Sequence, residues 1–152
     1  MTDVVDKETR SRMMSGIKGK NTKQEILIRK ELHKLGFRYK LNDTKLPGKP
    51  DIVLPKYNAV IFVNGCFWHG HDCYLFKWPA SHTTFWKEKI NKTKITDKEN
   101  YTKLGNMGWR VLIIWECALR GKEKLLLNYV IDETKTWILS DCLVKEIPGE
   151  EN

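Results

Sequence analysis

Trp109-Arg110-Val111-Leu112-Ile113-Ile114-Trp115 is the run that decides the fold. It is apolar at both alternating positions and rich in β-branched and aromatic residues. Such a run predicts a strand buried on both faces, hence a sheet with layers on either side. Upstream of it, Thr83–Gly105 is polar but carries Trp86, Ile90 and Leu104 at roughly helical spacing. Downstream, Lys122–Leu139 reads as a closing helix with Leu126, Val130 and Trp137 in its apolar set. Asp51–Leu54 and Ala59–Asn64 are apolar runs around Pro55-Lys56-Tyr57-Asn58 and predict a hairpin. Phe37–Leu41 alternates and predicts a strand, and Asn42–Pro50 is a loop punctuated by Pro47-Gly48 and Pro50. Thr22 with Glu25 three residues on is a capping box, with Ile28, Leu32 and Leu35 at helical spacing and Gly36 as the stop. The predicted order is α-β-β-β-loop-α-β-α, a mixed α/β fold with one central sheet flanked by helices.

The 152 residues make one domain large enough to bury a core without disulfides. An apolar content of 41% with 11% aromatic excludes a wholly disordered chain. No apolar run approaches the roughly 18 residues of a membrane span, and the N-terminus lacks the pattern of a signal peptide. The 27 Lys and Arg against 19 Asp and Glu leave a net charge of +8, which favours a polyanionic partner, nucleic acid first. Residues 1–20 carry Lys7, Arg10, Arg12, Lys18 and Lys20 with few core-forming side chains and read as a DNA-clasping arm. Residues 21–140 are the folded body. Residues 141–152 hold one lysine against Asp141, Glu146, Glu150 and Glu151 and read as a short acidic tail. The Lys87–Lys103 region has six lysines against three acids, a face suited to phosphates or simply to solvent.

Gly65–Pro79 has no clean period and is rich in Cys, His and aromatics. Cys66-x4-His71-x-Cys73 with Cys117 after the strong strand makes a Cys3His set of the kind that holds structural zinc. A metal would also restrain an irregular loop of this length. Spacing leaves His69 and His71 open as the nitrogen ligand. Cys142 falls outside the set and reads as a free thiol.

Asp51 follows Pro47-Gly48-Lys49-Pro50 and opens a strand, so its carboxylate lies at the end of the sheet near Val63-Asn64. A carboxylate with a nearby backbone carbonyl suits Mg²⁺, which can polarise a phosphate and assist in-line displacement. Glu25 is a second acidic candidate. His69 and Asp97 are candidates for orienting or deprotonating the attacking water. Each has a plain alternative: a turn residue, a cap, a surface histidine and half of an exposed ion pair.

Several strings stand together in this chain. They are Asp6-Lys7-x-Thr9-Arg10-Ser11-x-x-Met14, Leu46-Pro47-Gly48-Lys49-Pro50-Asp51, Gly65-Cys66-Phe67-Trp68-His69, Cys73-Tyr74-Leu75-Phe76-Lys77 and Gly108–Gly121 with its Trp115-Glu116-Cys117-Ala118. Together they resemble the very short patch repair DNA mismatch endonucleases, the Vsr type, over residues 3–125. The resemblance implies a restriction-endonuclease-like core of the PD-(D/E)xK type with a structural zinc loop. It implies Mg²⁺-dependent nicking of one strand 5′ to the T of a T:G mismatch left by deamination of 5-methylcytosine.

Residue by residue, the resemblance makes Asp51 the Mg²⁺ ligand, with the Val63 backbone carbonyl beside it, and His69 the catalytic histidine. Glu25 and Asp97 match supporting acidic positions. Cys66, His71, Cys73 and Cys117 match zinc ligands. Phe67, Trp68 and Trp86 match aromatics that wedge into the duplex, and Met14 matches an arm residue entering from the other groove. Asn64 stands where a second histidine is common; an amide can orient a water but cannot take its proton. Gly70 also replaces a frequent histidine. The strand Phe62-Val63-Asn64 lacks the acid-x-Lys of the wider nuclease superfamily, which leaves water activation to His69.

The expected partner is double-stranded DNA with a T:G mismatch, bound by a monomer in a bacterial cytoplasm on the nucleoid. A hand-off to other mismatch-repair proteins and a repair polymerase is implied, and no membrane. Two rival readings are a mismatch-binding module that has lost catalysis, which Asn64 invites, and a related nuclease with another target.

Overall fold

A computed structural model describes residues 22–150. The arm, and Met14 with it, lies outside the described residues. The first element is helix α1 (Lys23–Lys34), started where expected: the Thr22 hydroxyl accepts the Glu25 N–H at 3.2 Å. It buries Glu25, Ile28 and Leu32, one stripe at helical spacing. Strand β1 is only Lys40–Leu41, shorter than the predicted Phe37–Leu41. The Phe37 N–H closes the helix end on the Leu32 carbonyl and its ring packs edge-on against Tyr57, so the helix stop consumes the first residues of that run.

Strands β2 (Ile52–Leu54) and β3 (Ala59–Asn64) form the predicted antiparallel hairpin. Helix α2 (Thr83–Asn106) then crosses over to β4 (Arg110–Trp115), which lies parallel to β3. The short helix α3 (Glu116–Leu119) and helix α4 (Leu127–Ile138) follow. The closing helix thus starts at Leu127, not Lys122. Leu126 stands at its cap, 81% exposed, and is not part of the apolar set; Val130 and Trp137 are buried as expected.

The segment from 141 is more than a tail. Val144–Ile147 is strand β5, parallel to β4, at the edge of a five-stranded sheet of order β1-β2-β3-β4-β5. Its charges hid it, and they belong to an edge strand. Lys145 pairs with Glu133 at 2.6 Å, Glu146 accepts from the Trp115 indole at 2.9 Å, and only Ile147 is buried.

Alternation along the strands sorts the core into two layers. Ile52, Leu54, Ala59, Ile61, Leu112 and Ile114 face α1 and α4. Val53, Val60, Phe62, Val111, Ile113 and Trp115 face α2 and the cysteine loop. Each fully buried aliphatic among them contributes about 1.5–3 kcal/mol. The buried Arg110 ties the layers: its guanidinium donates to the carbonyls of Tyr57, Trp137 and Ile138 at 2.8–3.0 Å, at the negative end of α4. No helix among the described residues is long and apolar enough to cross a membrane.

Candidate active site and metal centre

β2 runs opposite to β3 and β4, so its first residues lie at the same end of the sheet as the carboxyl ends of those two strands. Ligand sites of open α/β sheets lie at such ends. Asp51, one residue before β2, sits there, and its Oδ2 accepts the Val63 N–H at 2.6 Å. In an extended strand the N–H and C=O of one residue point the same way, so the Val63 carbonyl faces the same side. Burial, opposed by the Val63 N–H and reinforced by the Glu25 charge, pushes the Asp51 carboxyl up to about 7. Glu25 itself is 2% exposed. A buried and a half-buried carboxylate close enough to repel, with a carbonyl beside them, are an all-oxygen donor set that fits a hard divalent cation.

Asp51 and Asn64 fall on the α2 side of the sheet by strand alternation, and α2 carries Asp97 there. Asp97 Oδ2 lies 2.6 Å from Nδ1 of His69. Both groups are partly buried. His69 also adds an attractive charge at Asp51. The structure therefore brings Glu25, Asp51, Asn64, His69 and Asp97 together from α1, the sheet, the loop and α2.

The loop that carries His69 is wound by its own backbone, with the His69 and His71 N–H groups donating to the Gly65 and Cys66 carbonyls. It lies against α2 so closely that a Cβ on Gly70 would meet Ile90 Cγ2 at 2.7 Å, and Gly70 has φ +62°. Glycine is required there by both space and backbone, a reason invisible in the sequence.

Cys66, His71, Cys73 and Cys117 offer four ligand atoms within 4.8 Å of one another. The geometry selects His71 over His69. His71 Nδ1 lies 3.5 Å from Cys66 Sγ and 3.6 Å from Cys117 Sγ. A tetrahedron with Zn–S of about 2.3 Å and Zn–N of about 2.0 Å has N···S edges of about 3.5 Å, so the residues fit zinc. Burial holds the His71 imidazolium below its usual range, which keeps the ring neutral for ligation. Burial, with the neighbouring thiols, raises Cys66 and Cys117, so the thiolates need a cation to form. The outer partners are in place: the Cys117 N–H donates to Cys66 Sγ, and the Gly149 N–H to Cys117 Sγ at 3.1 Å. Trp115, expected only to fill the core, stacks flat on the His71 ring at 4.1 Å and fixes its plane. Cys142 is exposed and apart from the set.

Phe67, Trp68 and Trp86 touch one another, with ring centroids 5.2–5.8 Å apart. The cluster continues through Phe76 to Trp78, and through Phe85, with Trp78 and Phe85 largely exposed. The sequence reading missed these last two. Their signal was an aromatic density in 74–86 that spacing alone did not assign to a face.

A family profile described as DNA mismatch endonuclease Vsr matches residues 2–75. The DNA mismatch endonuclease Vsr of Escherichia coli (strain K12) is 46% identical over 141 residues, covering 93% of this chain and 90% of that protein. The chain belongs to the Vsr family. Among other relatives, the type II nicking enzyme V.NmeAIP of Neisseria meningitidis serogroup A is 46% identical over 137 residues, 89% of this chain and 98% of its own. The type II nicking enzyme V.XorIIP of Xanthomonas oryzae pv. oryzae is 41% identical over 119 residues, 78% and 88% of the two chains. The Vsr profile spans the arm as well as Asp51, His69 and three of the four cluster ligands, while Asp97 and Cys117 lie beyond it.

Proposed function

We propose that this chain is a Mg²⁺-dependent, zinc-stabilised DNA endonuclease that nicks one strand 5′ to the T of a T:G mismatch arising from 5-methylcytosine deamination. The observation that carries the reading is the His69–Asp97 pair near Asp51, with His69 on the same loop as Phe67 and Trp68, whose rings pack on Trp86 of α2. Kinship with a mismatch endonuclease and with nicking enzymes supports it. The core is taken to be restriction-endonuclease-like, a reading that the mixed sheet with helices on both faces supports.

Asp51, Glu25 and the Val63 carbonyl supply the oxygen ligands. When bound, Mg²⁺ supplies Lewis-acid charge at the scissile phosphate. Asp97 engages Nδ1 of His69 and leaves Nε2 as the free nitrogen. Nε2 takes the proton of the attacking water. Asn64 can orient that water but has no basicity, so His69 carries the proton transfer alone. In-line attack leaves a 5′-phosphate and a 3′-hydroxyl.

Recognition follows from the aromatic cluster. A T:G wobble pair costs less to open than a matched pair, and each side chain stacked in the gap contributes about 1–3 kcal/mol. Zinc on Cys66, His71, Cys73 and Cys117 holds the loop in shape before DNA arrives, so little ordering is left for binding. Met14 enters from the other groove, and the lysines of α2 neutralise phosphates. The nicked product passes to other mismatch-repair proteins and a repair polymerase in the bacterial cytoplasm.

The test is a nicking assay with Mg²⁺ on a labelled T:G duplex and its C:G control, in several methylation-site contexts. A nick 5′ to the mismatched T alone is expected. Asn64 favours one alternative, a binding module; tight T:G binding with no cut would point there, and cutting of matched duplexes would point to a nuclease with another target.

A further inference from the structure

Tyr101 has no part in the chemistry above, yet its hydroxyl lies inside the same site. It sits one helical turn after Asp97, so the two share a face of α2. That face is otherwise the apolar stripe of Ile90 and Leu104 against the sheet. Tyr101 and Asp97 interrupt it with polar atoms where the sheet ends. The Tyr101 ring is fixed edge-on against Phe62, with centroids 5.2 Å apart. Its oxygen accepts from Asn64 Nδ2 at 3.0 Å. Asn64 is 4% exposed and directly follows Val63, whose N–H holds Asp51.

A phenol oxygen that accepts from an amide still has one proton to donate. Among the described residues, no hydrogen bond takes that proton. Burial first, then the Asp97 charge, with weaker contributions from Glu146 and Asp51, pushes the Tyr101 phenol above its usual range. The group is therefore a neutral donor at physiological pH and never a base. It also lies within electrostatic reach of Asp97 and Asp51 together. The attacking water needs an acceptor, and His69 supplies one. The non-bridging phosphate oxygens need donors as charge builds on them, and Asp51, Glu25 and Asp97 can supply none.

We propose that Tyr101 is a further catalytic residue, whose hydroxyl, positioned by Asn64, donates a hydrogen bond to a non-bridging oxygen of the scissile phosphate. This rests on the endonuclease reading. Asn64 is the positioning residue: its amide points the phenol at the substrate.

Tyr101→Phe keeps the ring against Phe62 and removes only the hydroxyl. The assay is single-turnover nicking of a T:G duplex, with the scissile phosphate native or replaced by each phosphorothioate diastereomer. The variant is expected to slow nicking of the native phosphate by roughly 10²-fold, with duplex affinity and the acid limb of the pH profile unchanged. Sulfur accepts hydrogen bonds poorly. A hard cation such as Mg²⁺ also disfavours sulfur, so the wild-type protein should lose rate on both diastereomers, and Tyr101→Phe should erase most of the loss on one of them only. Asn64→Leu should slow nicking less, and the double variant should lose clearly less than the product of the two single losses. A Tyr101→Phe enzyme as fast as wild type, sulfur penalties on both diastereomers left unchanged by the variant, or fully additive losses would each overturn the role. A wild-type chain that nicks no duplex would instead overturn the endonuclease reading, and this inference with it.

Discussion

Replacing Asp51 by Asn in the zinc-loaded, Mg²⁺-free protein should stabilise the fold at pH 8 and end its response to Mg²⁺. The Asp51 carboxyl is pushed from its usual 3.8 up to about 7, by burial first, against the Val63 N–H and with the help of Glu25. A carboxyl raised on folding favours the protonated native state. Its cost is absent below about pH 4, grows as pH rises, and is complete once pH passes about 7. At about 1.36 kcal/mol per pH unit, that distance corresponds to a ceiling of about 4 kcal/mol at pH 8. Water entry and local rearrangement relieve part of it, so the expected gain is about 2 kcal/mol. For a chain of this length that is roughly 4–8 °C in melting temperature. An asparagine carbonyl can still accept the Val63 N–H, so the 2.6 Å contact need not be lost. Urea unfolding followed by tryptophan fluorescence at pH 5 and pH 8, with and without Mg²⁺, reads all of this. The gain should shrink at pH 5, and Mg²⁺ should stabilise only the wild-type protein at pH 8. Equal stability of the two proteins at pH 8, or a Mg²⁺ response retained by the variant, would overturn Asp51 as the destabilising, metal-binding carboxyl.

Asp97→Asn would leave His69 with an amide at Nδ1 and the wrong tautomer. Single-turnover nicking should fall about 10²–10⁴-fold with duplex affinity kept, and an unchanged rate would remove the pair from the mechanism. Cys73→Ala should lose the zinc, counted by a chromogenic chelator after unfolding, and lower the melting temperature by at least about 10 °C; a variant that keeps one zinc and its melting temperature would overturn the Cys3His assignment. Trp68→Ala should weaken T:G binding by about 1–3 kcal/mol while leaving C:G binding nearly unchanged, as read by competition fluorescence; equal losses on both duplexes would return Trp68 to a packing role. Lys92→Ala and Lys98→Ala, both exposed on α2, should each flatten the salt dependence of duplex affinity by a slope of about 0.9, and an unchanged slope would make that face merely solvated.

Local features are legible in the order of residues. The apolar run at Val111–Ile114 can only be a strand covered on both faces, and it is. Thr22 with Glu25 starts a helix because the cap bond spans three residues. The cysteine spacing announced a metal cluster because Cys66, His71 and Cys73 must turn back on one another within a short loop. Family resemblance then carried residues such as Asp97, whose surroundings in the sequence suggest only an exposed ion pair.

The remaining features arise only on folding, because they depend on which ends of the sheet coincide. The antiparallel turn at Pro55–Asn58 brings Asp51 back to the end of β3, where the Val63 N–H meets it. Glu25 arrives there from one layer and Asp97 with Tyr101 from the other, contacts no spacing rule relates. Spacing left His69 and His71 interchangeable; the loop's winding sends one ring to the thiols and the other to Asp97. β5 was illegible because an edge strand needs only one buried side chain, Ile147, and its charges are satisfied by partners on α4 and β4. Short-range chemistry is written in the order of residues, but a site assembled from two helical layers and a loop exists only once the sheet has closed between them.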